Sequence, residues 1–437
     1  MLKFDSRLLT FNLILNSRIR QYSTSTIIKE RETKLTSHLK KLIKSSGPIS
    51  FYEYMKYCVS SGSRLGYYQQ DKPIFGKQGD FITSPEISQT FGELIGLDYI
   101  QQYQLNGDNK DIHLIELGPG KGTLMMDMLR TLERFPSIYK NVQQIHLIET
   151  SSLLANYQKE SIVEKKIVKQ IKEEEELIDN FNTNIKLDHI QLNWYSGLDA
   201  FKLKFDNLQN QYFCLMAHEF FDALPIHKFK KLNSEWREIM VDINEENTDP
   251  YHFKTIINPK KTLPLTYLNH ITGISDESGD DLEYSPQVNS IINQMKDIFK
   301  NNKGYAQIWD YGYNHNINNG IRGIYQHQFT SPLSLCGETD LSSDVNFEQI
   351  SELIQNQPSS LTVSELKTQK DYLLRMGIQE RLKILFESKK KKIVEEKNLS
   401  NKEKYRQLEE YQTLLLSDYN RLIDQMGQIF KVLILKK

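Results

Sequence analysis

The chain has 437 residues, with 55 basic against 56 acidic side chains and 39% hydrophobic residues. It is long enough for about two to three average domains, and the even charge balance gives no global argument for nucleic acid or an anionic membrane as a partner. Its three cysteines, Cys58, Cys214 and Cys336, are odd in number and far apart. They exclude a disulfide framework or a paired-cysteine metal knuckle and favour a reducing compartment. No apolar run approaches the ~18 residues needed to span a bilayer, so no membrane insertion is expected.

Residues 1–26 carry Lys3, Arg7, Arg18 and Arg20 against one acid, Asp5, and are rich in Ser and Thr. Leu8, Leu9, Phe11, Leu13, Ile14 and Leu15 supply an apolar face. This pattern reads as a mitochondrial transit peptide and implies the matrix as destination. Arg20-Gln21-Tyr22 followed by Ser23-Thr24-Ser25 has the look of a matrix-protease cleavage site, and the segment is set apart from the fold.

Residues 27–110 read as an N-terminal helical lid or substrate region. Leu35, Leu39, Leu42 and Ile43 recur at helical spacing. Gly47-Pro48 breaks that helix, and Ser50 with Glu53 predicts a capping box for the next. Ser84-Pro85-Glu86 reads as N-cap, first helical position and first-turn acid of a helix carrying Ile87, Phe91, Leu94, Ile95 and Tyr99.

From residue 111 strands and helices alternate. Residues 112–116, 145–149, 190–194 and 212–217 predict strands, and the helical stripe from Leu124 to Phe135 separates the first two. Alternation of this kind predicts an α/β domain over 111–437 with a mostly parallel, doubly wound sheet. Charged insertions fall near 158–188, 243–300 and 381–410; the first reads as a solvated excursion. Residues 226–242 predict a hairpin turning at Asn233-Ser234. Residues 243–265 and 273–285 read as polar loop. Further strands are expected at 305–310, 324–328 and 430–435, and a charged, solvated helix over 381–420.

Ile115-Glu116-Leu117-Gly118-Pro119-Gly120-Lys121-Gly122-Thr123 is the most informative stretch. It follows the first strand and precedes the first helix, where an open α/β sheet binds ligands and helix amides are available. A phosphate loop needs Gly-Lys followed by Ser or Thr, but Gly122 follows Lys121. A dinucleotide loop lacks its third glycine in either register, which counts against a nicotinamide-dependent oxidoreductase without removing it. S-adenosylmethionine is the third candidate. Its ammonium asks for a carboxylate, and Glu116 stands ahead of the glycines. Its ribose asks for a second, and Glu149 ends the next strand. Lys121 then reads as a solvent-facing side chain.

The fourth strand ends in His218-Glu219-Phe220-Phe221-Asp222-Ala223-Leu224-Pro225. A zinc-binding HExxH helix would need His where Asp222 stands, so no metal is expected. Glu219 and Asp222 are two carboxylates near one strand end and could orient a planar guanidinium, one of them accepting its proton. Asp80, Ser84, Glu86 and His218 are candidates for a lid or for substrate contact, and Asp310 and Tyr311, at the next strand end, for the same cleft.

These residues resemble the MidA-like family. The blocks that carry the likeness are Gly79–Ser88, Phe91-Gly92-Glu93-Leu94, Glu116–Gly122, His218–Pro225, Asp310-Tyr311-Gly312-Tyr313 and Gly337–Phe347, within residues 45–437. The resemblance implies a Rossmann-like class I methyltransferase fold, S-adenosylmethionine as cofactor held at Glu116, Gly118, Gly120, Gly122 and Glu149, and methylation of a protein arginine. It further implies symmetric dimethylation of a core matrix-side subunit of respiratory complex I, near its quinone-proximal iron–sulfur fragment, as a step in assembly. His218 departs from the family, many of whose members carry Asn there. A non-catalytic assembly chaperone on the same scaffold is the main rival, and oligomeric state is left open.

Overall fold

The computed structural model describes residues 29–60, 65–70, 82–166, 185–205, 208–246, 249–268, 280–355 and 361–437. The basic N-terminal segment, Asp80 and residues 167–184 of the charged excursion lie outside the described residues.

Ile112–Leu117 (β1) is buried at every position. Parallel strands flank it on both sides and both of its faces are covered. Ile112 and Leu114 point into one hydrophobic core, Ile115 and Leu117 into the other, as the two-residue strand period requires. The remaining strands of this sheet are Val142–Ile148 (β2), Ile185–Leu187 (β3), Ile190–Tyr195 (β4), Tyr212–His218 (β5), Lys303–Tyr313 (β6), Val345–Asn346 (β7), Thr362–Thr368 (β8) and Phe430–Lys436 (β9). They lie in the order β8-β9-β6-β5-β1-β2-β4-β3, with β7 beside β6. The central pairs are parallel, whereas β9 runs antiparallel between β6 and β8. The doubly wound, mostly parallel sheet is therefore as the alternation predicts.

Strand order reverses between β1 and β5. From β1 the chain winds outward through β2 to β4, then returns to place β5 on the other side of β1. β1 runs through the glycine loop into helix Thr123–Leu132, β5 through a turn into the strand His227–Leu232, and at such a switch point a crevice opens over the carboxyl ends of the two strands.

A second, antiparallel sheet adjoins the first. Ile49–Ser50 pairs with Glu235–Ile243, which also pairs with His227–Leu232 and with Phe253–Ile257; Asp281–Tyr284 completes the sheet. A small three-stranded sheet joins Gln328–Thr330, Arg322–Tyr325 and Asp340–Ser342. Helices Lys34–Ser46 and Phe51–Ser60 share a core with Ile226, Val241, Phe253 and Leu341. Helix Gln89–Asn106 instead buries Phe91, Leu94, Ile95 and Tyr99 in the main-sheet core. The described part of the stretch 27–110 is thus divided between two cores.

Several local expectations change. The polar stretch 243–265 contains the strand Phe253–Ile257, and 273–285 contains Asp281–Tyr284, because each pairs with the apolar hairpin at 227–243. The strand expected at 324–328 is a hairpin that turns at Gln326-His327, both with positive φ. The cap at Ser84 moves to Thr83, and Ser88 separates the short helix Ser84–Ile87 from Gln89–Asn106. The excursion at 158–188 begins inside helix Ser152–Lys166, where Gln158 and Ile162 are buried. The helix over 381–420 is two helices, Ile378–Glu395 and Asn401–Asn420, the second started by a Ser400–Glu403 capping box. The Ser50–Glu53 box forms as expected, with reciprocal bonds of 3.1 and 3.2 Å.

One buried carboxylate ties the layers together. Asp98, on helix Gln89–Asn106, accepts from the Tyr305 and Tyr372 hydroxyls, each at 2.7 Å, and from Gln307 Nε2 at 2.8 Å. Removing it strands the two tyrosine hydroxyls, each costing about 1–3 kcal/mol, while Gln307 Nε2 keeps both hydroxyls as acceptors. Asp98→Ala should therefore destabilise the protein by about 3 kcal/mol or more, and Tyr372→Phe by about 1 kcal/mol, measured by urea denaturation.

Candidate functional site

The glycine loop closes over the end of β1. Gly118 donates its amide to Ile148 O at 2.9 Å, and Gly122 donates to Pro119 O at 2.7 Å. Gly118 has φ of 63°, and a Cβ there would stand 2.9 Å from Phe220 Cδ2. Both backbone and space therefore demand glycine. Gly122, with φ of 74°, is the left-handed residue that turns the chain into helix Thr123–Leu132, and Gly120 has φ of 54°.

Glu116 sits under this loop, 3% exposed, and its Oε2 has no hydrogen-bond partner. Burial and the neighbouring Glu149 charge push its carboxyl up to about 8, against the Met125 amide. Glu149, just past β2, accepts from the Ser151 amide at 2.8 Å and from Gln158 Nε2 at 3.3 Å. Burial pushes it up to about 7. Gln158 also donates to Gly120 O at 2.7 Å and accepts from Trp194 Nε1 at 2.9 Å. It thus fastens the loop to the second carboxylate. Sequence reasoning missed it because the surrounding charge suggested solvent; Ala155 and Ile162, at helical spacing with it, carried the signal.

Lys121 is not a free solvent-facing side chain. Its Nζ lies 3.2 Å from Glu86 Oε2, and Thr123 Oγ1 donates to Glu86 Oε1, also at 3.2 Å. Glu86 therefore grips the glycine loop from the short helix Ser84–Ile87. Ser84 is buried, its hydroxyl 3.3 Å from Gln369 Oε1.

The second half of the crevice lies at the end of β5. Glu219 has φ of 50°, an uncommon left-handed conformation for a non-glycine residue and one that clusters at functional sites. Its amide donates to Trp309 O at 2.8 Å. Its carboxylate meets the Ser84 amide, while Oε1 is buried without a partner. Burial and the charge of Asp222 hold it well above the usual carboxylate range. His218 Nε2 lies 3.7 Å from Glu219 Oε1 and also has no partner. Burial lowers this imidazole to about 3, so it is neutral and the contact is not an ion pair.

Asp222 is differently placed. Its Oδ2 accepts from Ser342 Oγ at 3.0 Å, and Ser342 Oγ in turn meets the Tyr311 hydroxyl. The Arg322 guanidinium lies over the Tyr311 ring at 4.5 Å and pairs with Asp344. Burial raises the Asp222 carboxyl; Tyr311, Ser342 and Arg322 oppose that rise. Asp310 is fully buried and accepts from the amides of Phe221 and Asp222 at 3.0 and 3.3 Å, and from that of Tyr311 at 3.1 Å. It holds the 219–222 turn in shape rather than facing the cleft. Ser342 and Arg322, a register pair of the small sheet, were not singled out from sequence.

The two halves fit an amino-acid-bearing nucleoside. An orphaned buried carboxylate oxygen on Glu116 suits an ammonium, and Glu149, at the next strand end, suits a ribose diol. No group of His, Cys, Asp and Glu among the described residues is arranged to hold a metal.

Comparison with known proteins gives the same reading. Residues 94–364 match the model of a family described as "Putative S-adenosyl-L-methionine-dependent methyltransferase". The chain is 34% identical over 356 residues to the rat protein arginine methyltransferase NDUFAF7, mitochondrial, covering 81% of this chain and 77% of the relative. It is 31% identical over 436 residues to the NDUFAF7 homolog of Caenorhabditis elegans, covering 96% of this chain and 91% of that one. A COG1565 superfamily member from Burkholderia thailandensis, solved with S-adenosyl-homocysteine, superposes with a TM-score of 0.67 at 18% identity over 92% of each chain. That likeness shows the class I methyltransferase fold.

The raised carboxyls predict a pH signature. Glu116 and Glu149 hold protons in the folded, donor-free protein. The stability this contributes is complete below pH 4.5 and is lost as pH climbs through about 7 to 8. The melting temperature of the donor-free protein should fall between pH 5 and pH 8.5 through these two groups, and Glu116→Gln should flatten that slope. Glu116→Ala should weaken S-adenosylmethionine binding about 10- to 100-fold, the size of one charge-assisted hydrogen bond, read by calorimetry.

Proposed function

The chain belongs to the MidA-like family of S-adenosyl-L-methionine-dependent methyltransferases, and on that premise we propose that it methylates an arginine of a protein substrate. The observation that carries this reading is Glu219 Oε1, a buried acceptor without a donor, presented at the end of β5 beside Asp222. Two carboxyl groups side by side, Glu219 and Asp222, line the recess at the crevice where a methyl acceptor would enter. A guanidinium, planar, cationic and rich in N–H donors, supplies what that recess lacks. The curated relatives named above are called protein arginine methyltransferases.

When bound, S-adenosylmethionine supplies an electrophilic methyl and leaves as S-adenosylhomocysteine. The residues of this chain have three tasks. Glu116, Glu149 and the glycine loop hold the donor. Glu219 orients the guanidinium edge, and Asp222 adds negative charge from behind. As the N–C bond forms, the acceptor nitrogen must release one proton, and the Glu219 carboxylate stands where it can accept it. In the empty site Glu219 keeps a proton because burial disfavours its charge; an arriving guanidinium favours the ionised form and prepares the acceptor. Orientation of this kind is worth up to ~7–11 kcal/mol of barrier, so little acid catalysis is needed.

We further infer that the reaction is symmetric dimethylation of a core matrix-side subunit of complex I near its quinone-proximal iron–sulfur fragment, supporting assembly. The relatives are named mitochondrial, and the basic, hydroxyl-rich residues 1–26 agree with a mitochondrial address; the matrix is the compartment we propose.

Mass spectrometry of matrix-side complex I subunits from cells lacking the protein tests this directly. An arginine should lose its methyl groups, and unchanged methylation would sink the proposal. In the purified protein Glu219→Gln should lower methyl transfer by about 10²-fold or more, while donor affinity stays within about threefold of wild type.

A further inference from the structure

Two buried atoms at the end of β5 lack hydrogen-bond partners, and they are adjacent: His218 Nε2 and Glu219 Oε1, 3.7 Å apart. The imidazole ring bonds to its own backbone. Nε2 makes no bond; with the ring proton on Nδ1, Nε2 presents a bare lone pair. The ring is fixed from two sides, edge-on to Phe91 at 5.3 Å and tilted to Trp309 at 6.5 Å. A buried polar atom without a partner costs about 1–3 kcal/mol, and two together mark a place shaped for a group absent from the empty protein. Asp222 does not share this openness, because Ser342 already donates to its Oδ2 and the Tyr311–Arg322 stack closes its far side.

We propose that His218 Nε2 and Glu219 Oε1 form a two-point acceptor for one edge of the substrate guanidinium, so that His218 is a substrate-binding residue rather than packing beneath the turn. The inference rests on the arginine reading above and narrows it. A guanidinium edge carries two coplanar N–H donors, one for each acceptor. Glu219 compensates the charge and takes the proton. His218, neutral across the physiological range, contributes direction without adding a further charge beside Glu219 and Asp222. A single acceptor would let the guanidinium rotate about one hydrogen bond, whereas two set which nitrogen faces the methyl donor.

The test uses the full chain and radiolabelled S-adenosylmethionine. The acceptor pool is the protein extract of cells whose copy of this gene is deleted, and modified residues are identified by mass spectrometry. Wild type should label arginine. His218→Leu should raise the apparent KM for the extract about 10-fold or more, the effect of one lost hydrogen bond to a charged group, with donor affinity unchanged. His218→Asn, which restores a side-chain acceptor, should recover most of the loss. Arginine labelling by His218→Leu with wild-type KM would overturn the inference and leave the arginine reading standing. Labelling of lysine alone, or of nothing, by wild type would overturn both. A second measurement needs no variant. The His218 Nε2 nitrogen resonance, observed in the protein with S-adenosylhomocysteine, should move on addition of N-acetylarginine methylamide; an unmoved resonance at saturation overturns the inference.

Discussion

Desolvated carboxylates at the carboxyl ends of neighbouring parallel strands are the constraint from which the rest of this site follows. Glu116, Glu149, Glu219, Asp222 and Asp310 all lie within a layer where the sheet stops and the crevice begins. Water cannot solvate most of them, and the protein supplies few cations. The sheet can place acids there only because helix amides, hydroxyls and, in the working state, ligands compensate them. The chain uses backbone amides for Asp310, a hydroxyl relay for Asp222, and an amide with a carboxamide for Glu149. Glu116 and Glu219 keep one uncompensated oxygen each. The two acids left short of partners are thus the ones at the two ends of the proposed reaction path.

The surrounding layers act as a brace for this arrangement. Glu86 reaches the donor loop while the Ser84 amide, two residues earlier, reaches Glu219. One short helix therefore touches both halves of the crevice. The small sheet carries Ser342 opposite Arg322, fixing the groups that flank Asp222. Two segments distant in sequence, at 84–87 and 322–342, thereby set the shape of a pocket whose chemistry comes from β1 and β5.

Much of this was legible in the sequence. Strands of the parallel sheet announce themselves as short apolar runs ending in an acid, and the glycines after Glu116 mark where the backbone must approach a ligand. Elements whose residues are chosen by a partner across the chain were not legible. Phe253–Ile257 looks polar because only one face of it is covered. Gln158 looks solvated because charged neighbours dilute its helical stripe. Asp310 read as a cleft residue because sequence gives a strand end but not the direction of a side chain. Its carboxylate turns back onto the amides of the 219–222 turn.

The position of β9 carries a consequence for how this chain reaches its native state. The strand enters the sheet between β6 and β8, though some 60 residues of helix separate it from β8 and more than 110 separate it from β6. Until residues 430–436 arrive, β6 presents an open hydrogen-bonding edge flanked by apolar side chains, a template for pairing with another chain. Such late, non-local closure slows folding and lengthens exposure of the half-built sheet. The vulnerable period in the folding of this protein is therefore the interval before residues 430–436 dock against β6.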